Sequence, residues 1–182
     1  QAGSHLVSSL TALLTEAQQP PPYLMVGHSL GGLIVNLFAR TYPALVAGAV
    51  LIEATAPGDP ERMAQHETRL QRLIRGMLRK VSPPSPLAEI EQVMTTVAEV
   101  RQAPPFPAIP LVVVTGTQPA MRWATAPEAL EARAEHQRQL VGLSPLGRQI
   151  EATRSGHFPQ LSEPHLVIGA IREVLDQIRD RG

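Results

Sequence analysis

The chain contains no cysteine. That removes disulfides, thiolate metal sites and a cysteine nucleophile together. It leaves the compartment open, because cytosolic proteins and many secreted ones do without cysteine. Neither sign of charge is in excess, with 16 basic against 16 acidic side chains, so nothing points to nucleic acid or an anionic membrane as partner. Lysine is nearly absent too: Lys80 stands alone and arginine supplies the other basic residues. No apolar run approaches the roughly 20 residues of a membrane-spanning helix. The first residue is Gln1 and no signal-peptide pattern follows it, which makes the cytoplasm the slightly favoured location. Gly3-Ser4-His5 reads equally as a cloning scar or as a loop leading into a helix. There is no H-E-x-x-H and no G-K-[ST] after a glycine run, so neither a metal nor a phosphate-binding cofactor is expected.

What is present is an ordinary globular composition, 43% hydrophobic over 182 residues, enough for one domain with a core. Residues 4–18 predict an amphipathic helix, with Leu6, Leu10, Leu13 and Leu14 on one face. Pro20-Pro21-Pro22 ends it, because proline cannot continue a helix. A strand at 23–27, a helix at 30–41 and a near-continuous apolar strand at 46–53 follow. Together they form a βαβ unit of the parallel type.

Two further helical patterns follow. One covers 60–80, with Met63, Leu70, Leu73, Ile74, Met77 and Leu78. The other covers 86–101, with Leu87, Ile90, Val93, Met94, Val97 and Val100. Proline-rich stretches at 82–86 and 103–107 fence the second. Such a pair, inserted between strands, reads as a helical lid over 57–107 more readily than as a long crossover. Residues 109–116 predict a third strand, 127–141 a polar helix, 148–152 a short last strand and 163–180 a closing helix. Ser162 is the expected N-cap of that last helix, with Pro164 in its first turn. One domain results, with its core at 1–56 and 108–182.

The chemistry centres on Val26-Gly27-His28-Ser29-Leu30-Gly31-Gly32. It carries G-x-S-x-G between a strand and a helix, the setting in which that pattern acts as a nucleophile elbow. The turn would push the Ser29 hydroxyl out of the sheet. Gly27 and Gly31 would leave room where strand and helix backbones crowd. The backbone amide of Leu30, at the positive end of the helix, would face a developing oxyanion. A serine nucleophile needs a base. His157 lies in a glycine-flanked loop between the last strand and the last helix, at the carboxyl edge where α/β sheets bind ligands. His28 sits inside the elbow with its side chain expected to point elsewhere. His5, His66, His136 and His165 fall on helical patterns and read as surface residues.

Four blocks in this order resemble the α/β-hydrolase superfamily. They are Val-Gly-His-Ser-Leu-Gly-Gly at 26–32, Val-Leu-Ile-Glu-Ala at 50–54, Pro-Leu-Val-Val-Val-Thr-Gly at 110–116 and Ser-Gly-His-Phe-Pro-Gln-Leu-Ser-Glu-Pro at 155–164. The resemblance implies a partial α/β-hydrolase fold, a mostly parallel sheet flanked by helices, and no cofactor. It implies a serine hydrolase acting on a carboxylic ester or related acyl compound. In much of the family the triad acid follows the strand matching 110–116, but here that turn reads Gly116-Thr117-Gln118-Pro119 without a carboxylate. Other members carry the acid at the end of the preceding strand, which matches Glu53, with Asp59 in reserve. Glu128 and Glu163 read as first-turn charges complementing helix dipoles. Trp123 and Phe158 are candidate pocket walls, and Trp123 reads more readily as a core residue.

The first strands of the family, and the loop that lends a second oxyanion donor, have no match before residue 23. The chain is therefore expected to be weakly active alone, to self-associate, or to need a missing N-terminal segment. The rival reading is a catalytically silent binding or scaffold protein that keeps the hydrolase shape. Lactonase, thioesterase, perhydrolase and C–C hydrolase activities use the same residues.

Overall fold

Four parallel strands lie side by side in chain order: β1 (Tyr23–His28), β2 (Val46–Ile52), β3 (Leu111–Gly116) and β4 (Gly147–Ala152). The computed structural model describes residues 2–58, 85–118 and 127–181, and only the backbone at 85–91, 127, 129 and 130. Its helices are α1 (Gly3–Glu16), α2 (Leu30–Thr41), α3 (Ser85–Gln102), α4 (Pro127–Val141), the single turn α5 (Pro159–Ser162) and α6 (Pro164–Arg179). The result is an α/β fold with a parallel sheet flanked by helices.

The apolar runs of β2 and β3 serve two cores at once. Side chains alternate along a strand. Ala49, Leu51, Leu111 and Val113 face one way, into a core with Val7 of α1, Leu33 and Phe38 of α2, Val97 and Val100 of α3, and Leu140 of α4. Val50, Ile52, Val112 and Val114 face the other way, onto Val167, Ala170 and Val174 of α6. An unbroken Val/Ile/Leu strand is the pattern that burial on both faces demands. Among the described residues, one face thus has four helices and the other has α6. Among the described residues, β1 has a strand on one side only, and its Val26 is 43% exposed.

The second helix of the expected lid is α3, and its C-terminal half packs into the first core through Val97 and Val100. It also touches α1, where the Ser4 hydroxyl and backbone N–H donate to the Glu99 carboxylate at 2.6 and 3.0 Å. The lid expectation therefore falls on residues 59–84, including Met63 and Leu70, which lie outside the described residues, as does the predicted 60–80 helix.

Several boundaries differ from the sequence reading. β2 ends at Ile52, because Glu53 turns to φ 44° and leaves the strand. β3 starts at Leu111 rather than at 109. Ser162 is not the N-cap of the last helix. It closes α5, its hydroxyl bonding to the Phe158 carbonyl at 3.1 Å, and Glu163 precedes α6. α5 lies just before the predicted closing helix, and Pro164, which cannot donate to an α5 carbonyl, separates the two.

Candidate active site

Because all four strands run the same way, their carboxyl ends share one edge. His28 and Ser29 leave β1 there, Glu53 leaves β2, Gly116 ends β3, and the 153–158 loop leaves β4. Ser29 takes φ 52° and ψ −123°, a positive-φ turn between strand and helix. Its backbone N–H donates to Ile52 O at 3.1 Å, and its carbonyl accepts from Gly32 and Thr55, both at 3.0 Å. These bonds hold a conformation that L-residues adopt only when their surroundings over-determine it.

The glycines divide the work differently from the sequence reading. A Cβ on Gly27 would lie 2.6 Å from the Gly31 carbonyl oxygen and 2.7 Å from Gly32 Cα. A Cβ on Gly31 would meet nothing within 4 Å, which corrects the expectation that Gly31 relieves crowding. Gly32 takes that role, because its missing Cβ leaves room for Ala54 on the neighbouring strand's exit. Leu30 is the first residue of α2, so its N–H belongs to the turn that has no intrahelical acceptor.

His157 comes to Ser29 across the sheet edge, with Nε2 3.1 Å from Oγ. For the hydroxyl to donate, that nitrogen must be unprotonated, which puts the imidazole proton on Nδ1. Nδ1 lies 3.6 Å from Glu53 Oε2. The Glu53 side chain is 2% exposed, against 44% for His157. Its Oε1 accepts the Gly116 N–H at 2.7 Å, and its Oε2 pairs with Arg133 Nη2 of α4. Four residues along α4, Gln137 Nε2 donates to Ala54 O at 2.8 Å. One face of α4 thus grips the Glu53–Ala54 turn.

The loop bearing His157 has its own anchor. Glu163 accepts the Arg154 N–H at 2.9 Å and the Ser155 hydroxyl at 2.7 Å, and is 3% exposed. The Ser155 hydroxyl above all, with help from Arg154, holds its carboxyl below the usual value. Glu163 is therefore a buried loop anchor and not simply the first-turn dipole charge expected from sequence.

His28 also needs correction. Its Nε2 lies 2.7 Å from the His157 carbonyl, which can only accept, so His28 donates there. Its ring sits 4.8 Å from the His157 ring and 5.3 Å from that of Phe158. His136 is buried, at 3% exposure, with its ring against Gly58, and is no surface residue. His5 and His165 are exposed, as is Glu128. Phe158 is half exposed beside His157. Asp59, His66 and Trp123 lie outside the described residues.

Sequence reasoning named Ser29, His157 and Glu53 as candidates, and the fold brings the three together. It missed Arg133, Gln137 and the anchoring role of Glu163. The i, i+4 spacing of Arg133 and Gln137 marks a shared helix face, but nothing in the chain order says that this face meets Glu53.

Comparison with known proteins bears on the family and the fold. The chain is 28% identical over 175 residues to the uncharacterized protein YqjL of Bacillus subtilis (strain 168), covering 92% of this chain. It spans 62% of that relative's length. A thermophilic esterase from Thermogutta terrifontis superposes with a TM-score of 0.58 at 20% identity, over 98% of this chain and 73% of the esterase. A putative lipase, lip1, from Acinetobacter baumannii AYE gives 0.58 at 16% identity, over 100% of this chain and 69% of the lipase. At such identities these likenesses show the fold. The model of the alpha/beta hydrolase family matches residues 2–170, nearly the whole sequence, and the chain belongs to that family.

Proposed function

We propose that the protein is a serine hydrolase that cleaves a carboxylic ester or related acyl compound. The observation that carries this reading is the 3.1 Å approach of His157 Nε2 to Ser29 Oγ, with Glu53 behind Nδ1, in a chain of the alpha/beta hydrolase family. Ser29 Oγ attacks the acyl carbon while His157 takes its proton. The tetrahedral oxyanion forms near the Leu30 N–H. His157 then protonates the leaving alcohol, and the carbon–oxygen bond breaks to leave an acyl-Ser29. Water, deprotonated by His157, releases the acid and regenerates the serine. Glu53 holds the imidazole and balances its positive charge. A gap of 3.6 Å between Glu53 and Nδ1 suits a resting site, since such bonds shorten once substrate is bound.

A single oxyanion donor would leave the rate low. Loss of one donor costs about 3 kcal/mol, a hundredfold or more. We therefore propose slow turnover for residues 1–182 alone, with a second donor supplied by a further segment or a partner. The silent-scaffold reading draws on the same point.

Fluorophosphonate labelling separates the two. Ser29 should be labelled stoichiometrically, and Ser29→Ala should not react. A wild-type chain that stays unlabelled over hours at neutral pH would favour the scaffold. Fast, fully developed ester turnover by this chain alone would remove the need for a second donor.

A further inference from the structure

Glu53 is the most heavily constrained residue of the site, and its constraints come from two elements, β3 and α4. Its φ of 44° places an ordinary L-residue in the left-handed region. Such a residue persists only where its neighbours over-determine it. The backbone is tied by Glu53 N–H to Val114 O at 2.9 Å, and at the next residue by Gln137 to Ala54 O. The carboxylate is tied at one oxygen by the Gly116 N–H at the end of β3, and at the other by Arg133. A glutamate has one more rotatable bond than an aspartate. Two donors on its two oxygens fix the plane that this extra freedom would otherwise leave loose.

We propose that Arg133 is a positioning residue of this site: it fixes the plane of the Glu53 carboxylate and sets the net charge that His157 faces. The assignment rests on the serine-hydrolase reading above. Oε2 has two lone pairs. Arg133 takes one, and the other is left toward His157 Nδ1, 3.6 Å away. His157 therefore faces a carboxylate–guanidinium pair of net charge zero, and not a bare anion. Its protonated form gains less than it would from Glu53 alone. Removing Arg133 would leave a bare carboxylate beside Nδ1.

Other titratable and charged groups lie around the site on several elements. Arg133 comes from α4, with buried His136 three residues on. Glu53 comes from the end of β2, and His28 from the end of β1 against the His157 ring. Glu163 and Arg154 lie behind the His157 loop. Of these, Arg133 is the cation paired with Glu53.

The test compares R133Q and R133K with the parent chain by two readouts. One is the rate of Ser29 labelling by a fluorophosphonate across pH. The other is the NMR titration of the His157 ring, which does not depend on turnover. In R133Q the midpoint of both curves should rise by about one pH unit, as expected for removing a nearby charge. The plateau labelling rate should fall about tenfold as the carboxylate loses its fixed plane. R133K keeps the charge and loses the fork. It should hold the midpoint within about 0.3 units while losing plateau rate about threefold.

An R133Q chain that titrates and labels like the parent overturns the proposal. So does a full-unit midpoint shift in R133K, which serves as the test if R133Q does not fold. A parent chain whose Ser29 never labels would sink the hydrolase reading instead. The His157 titration would then still decide the role of Arg133.

Discussion

Two residues with positive φ, Ser29 and Glu53, sit at the ends of adjacent strands, joined by the Ser29 N–H bond to Ile52 O. Each is the polar residue that its strand delivers to the edge. The isosteric change Glu53→Gln keeps an oxygen for the Gly116 N–H but removes the charge that balances an imidazolium. Loss of the acid's charge in such a constellation costs up to about 10⁴ in kcat. We expect Glu53→Gln to lower kcat on a short-chain nitrophenyl ester by at least about a hundredfold, with KM nearly unchanged. Undiminished activity, set beside Asp59→Asn as a control, would remove Glu53 as the acid. The glycines give a second contrast at this scale. Ala at 27 would drive its Cβ into the Gly31–Gly32 backbone, which has no flexible end to yield. A cost of about 3 kcal/mol is expected for Gly27→Ala in thermal or urea unfolding. Gly31→Ala should be neutral or slightly stabilising, since its site is open and alanine favours helix. Equal losses from the two changes would contradict this division.

The elements were largely legible in the sequence where one physical rule acted alone. The apolar helix at 30–41 and the polar helix at 127–141 appear at their expected bounds. Burial on both faces of β2 was readable from its unbroken run. What could not be read depended on contacts between distant segments. Glu163 looks like a first-turn charge because only the fold brings Arg154 and Ser155 to it. Arg133 and His136 look like surface residues because α4 is polar by composition, and its buried face is narrow. Asp59 and the 60–80 helix lie outside the described residues, and so does any test of the lid.

The Glu163 anchor makes a prediction about pH. Its carboxyl is held below the ordinary value of 4.5, so the folded state favours the ionised form. The stability it adds is complete above pH 4.5 and is lost as pH falls through the lower, folded-state value. Glu163→Gln should therefore lower the melting temperature at neutral pH. The gap to the parent should shrink as pH drops from 4.5 toward 3. A gap that is constant over that range would exclude the anchor's charge as the source.

At the scale of the whole molecule, the sheet is covered unevenly. Among the described residues, four helices pack on one face and α6 alone on the other. On that second face Val26 of β1 is 43% exposed, and Ile168 and Leu175 of α6 are 48% and 36% exposed. Beside Val26 runs the outer edge of β1, which has no strand partner among the described residues. Unpaired N–H and C=O groups flanked by apolar side chains are a template for another chain's strand. The chain also spans only 62% of its curated relative, so that relative holds sequence with no counterpart in the matched region. We therefore expect this chain alone to self-associate through β1 at tens of micromolar, seen as a rising weight-average mass in sedimentation. A charge placed on the edge opposes such pairing. Val26→Lys should keep the chain monomeric over the same range, and should leave Ser29 labelling intact, since Val26 lies three residues from Ser29 on the strand itself. Equal association by the two chains would place the contact elsewhere, and a monomeric parent would mean that the β1 edge does not template pairing.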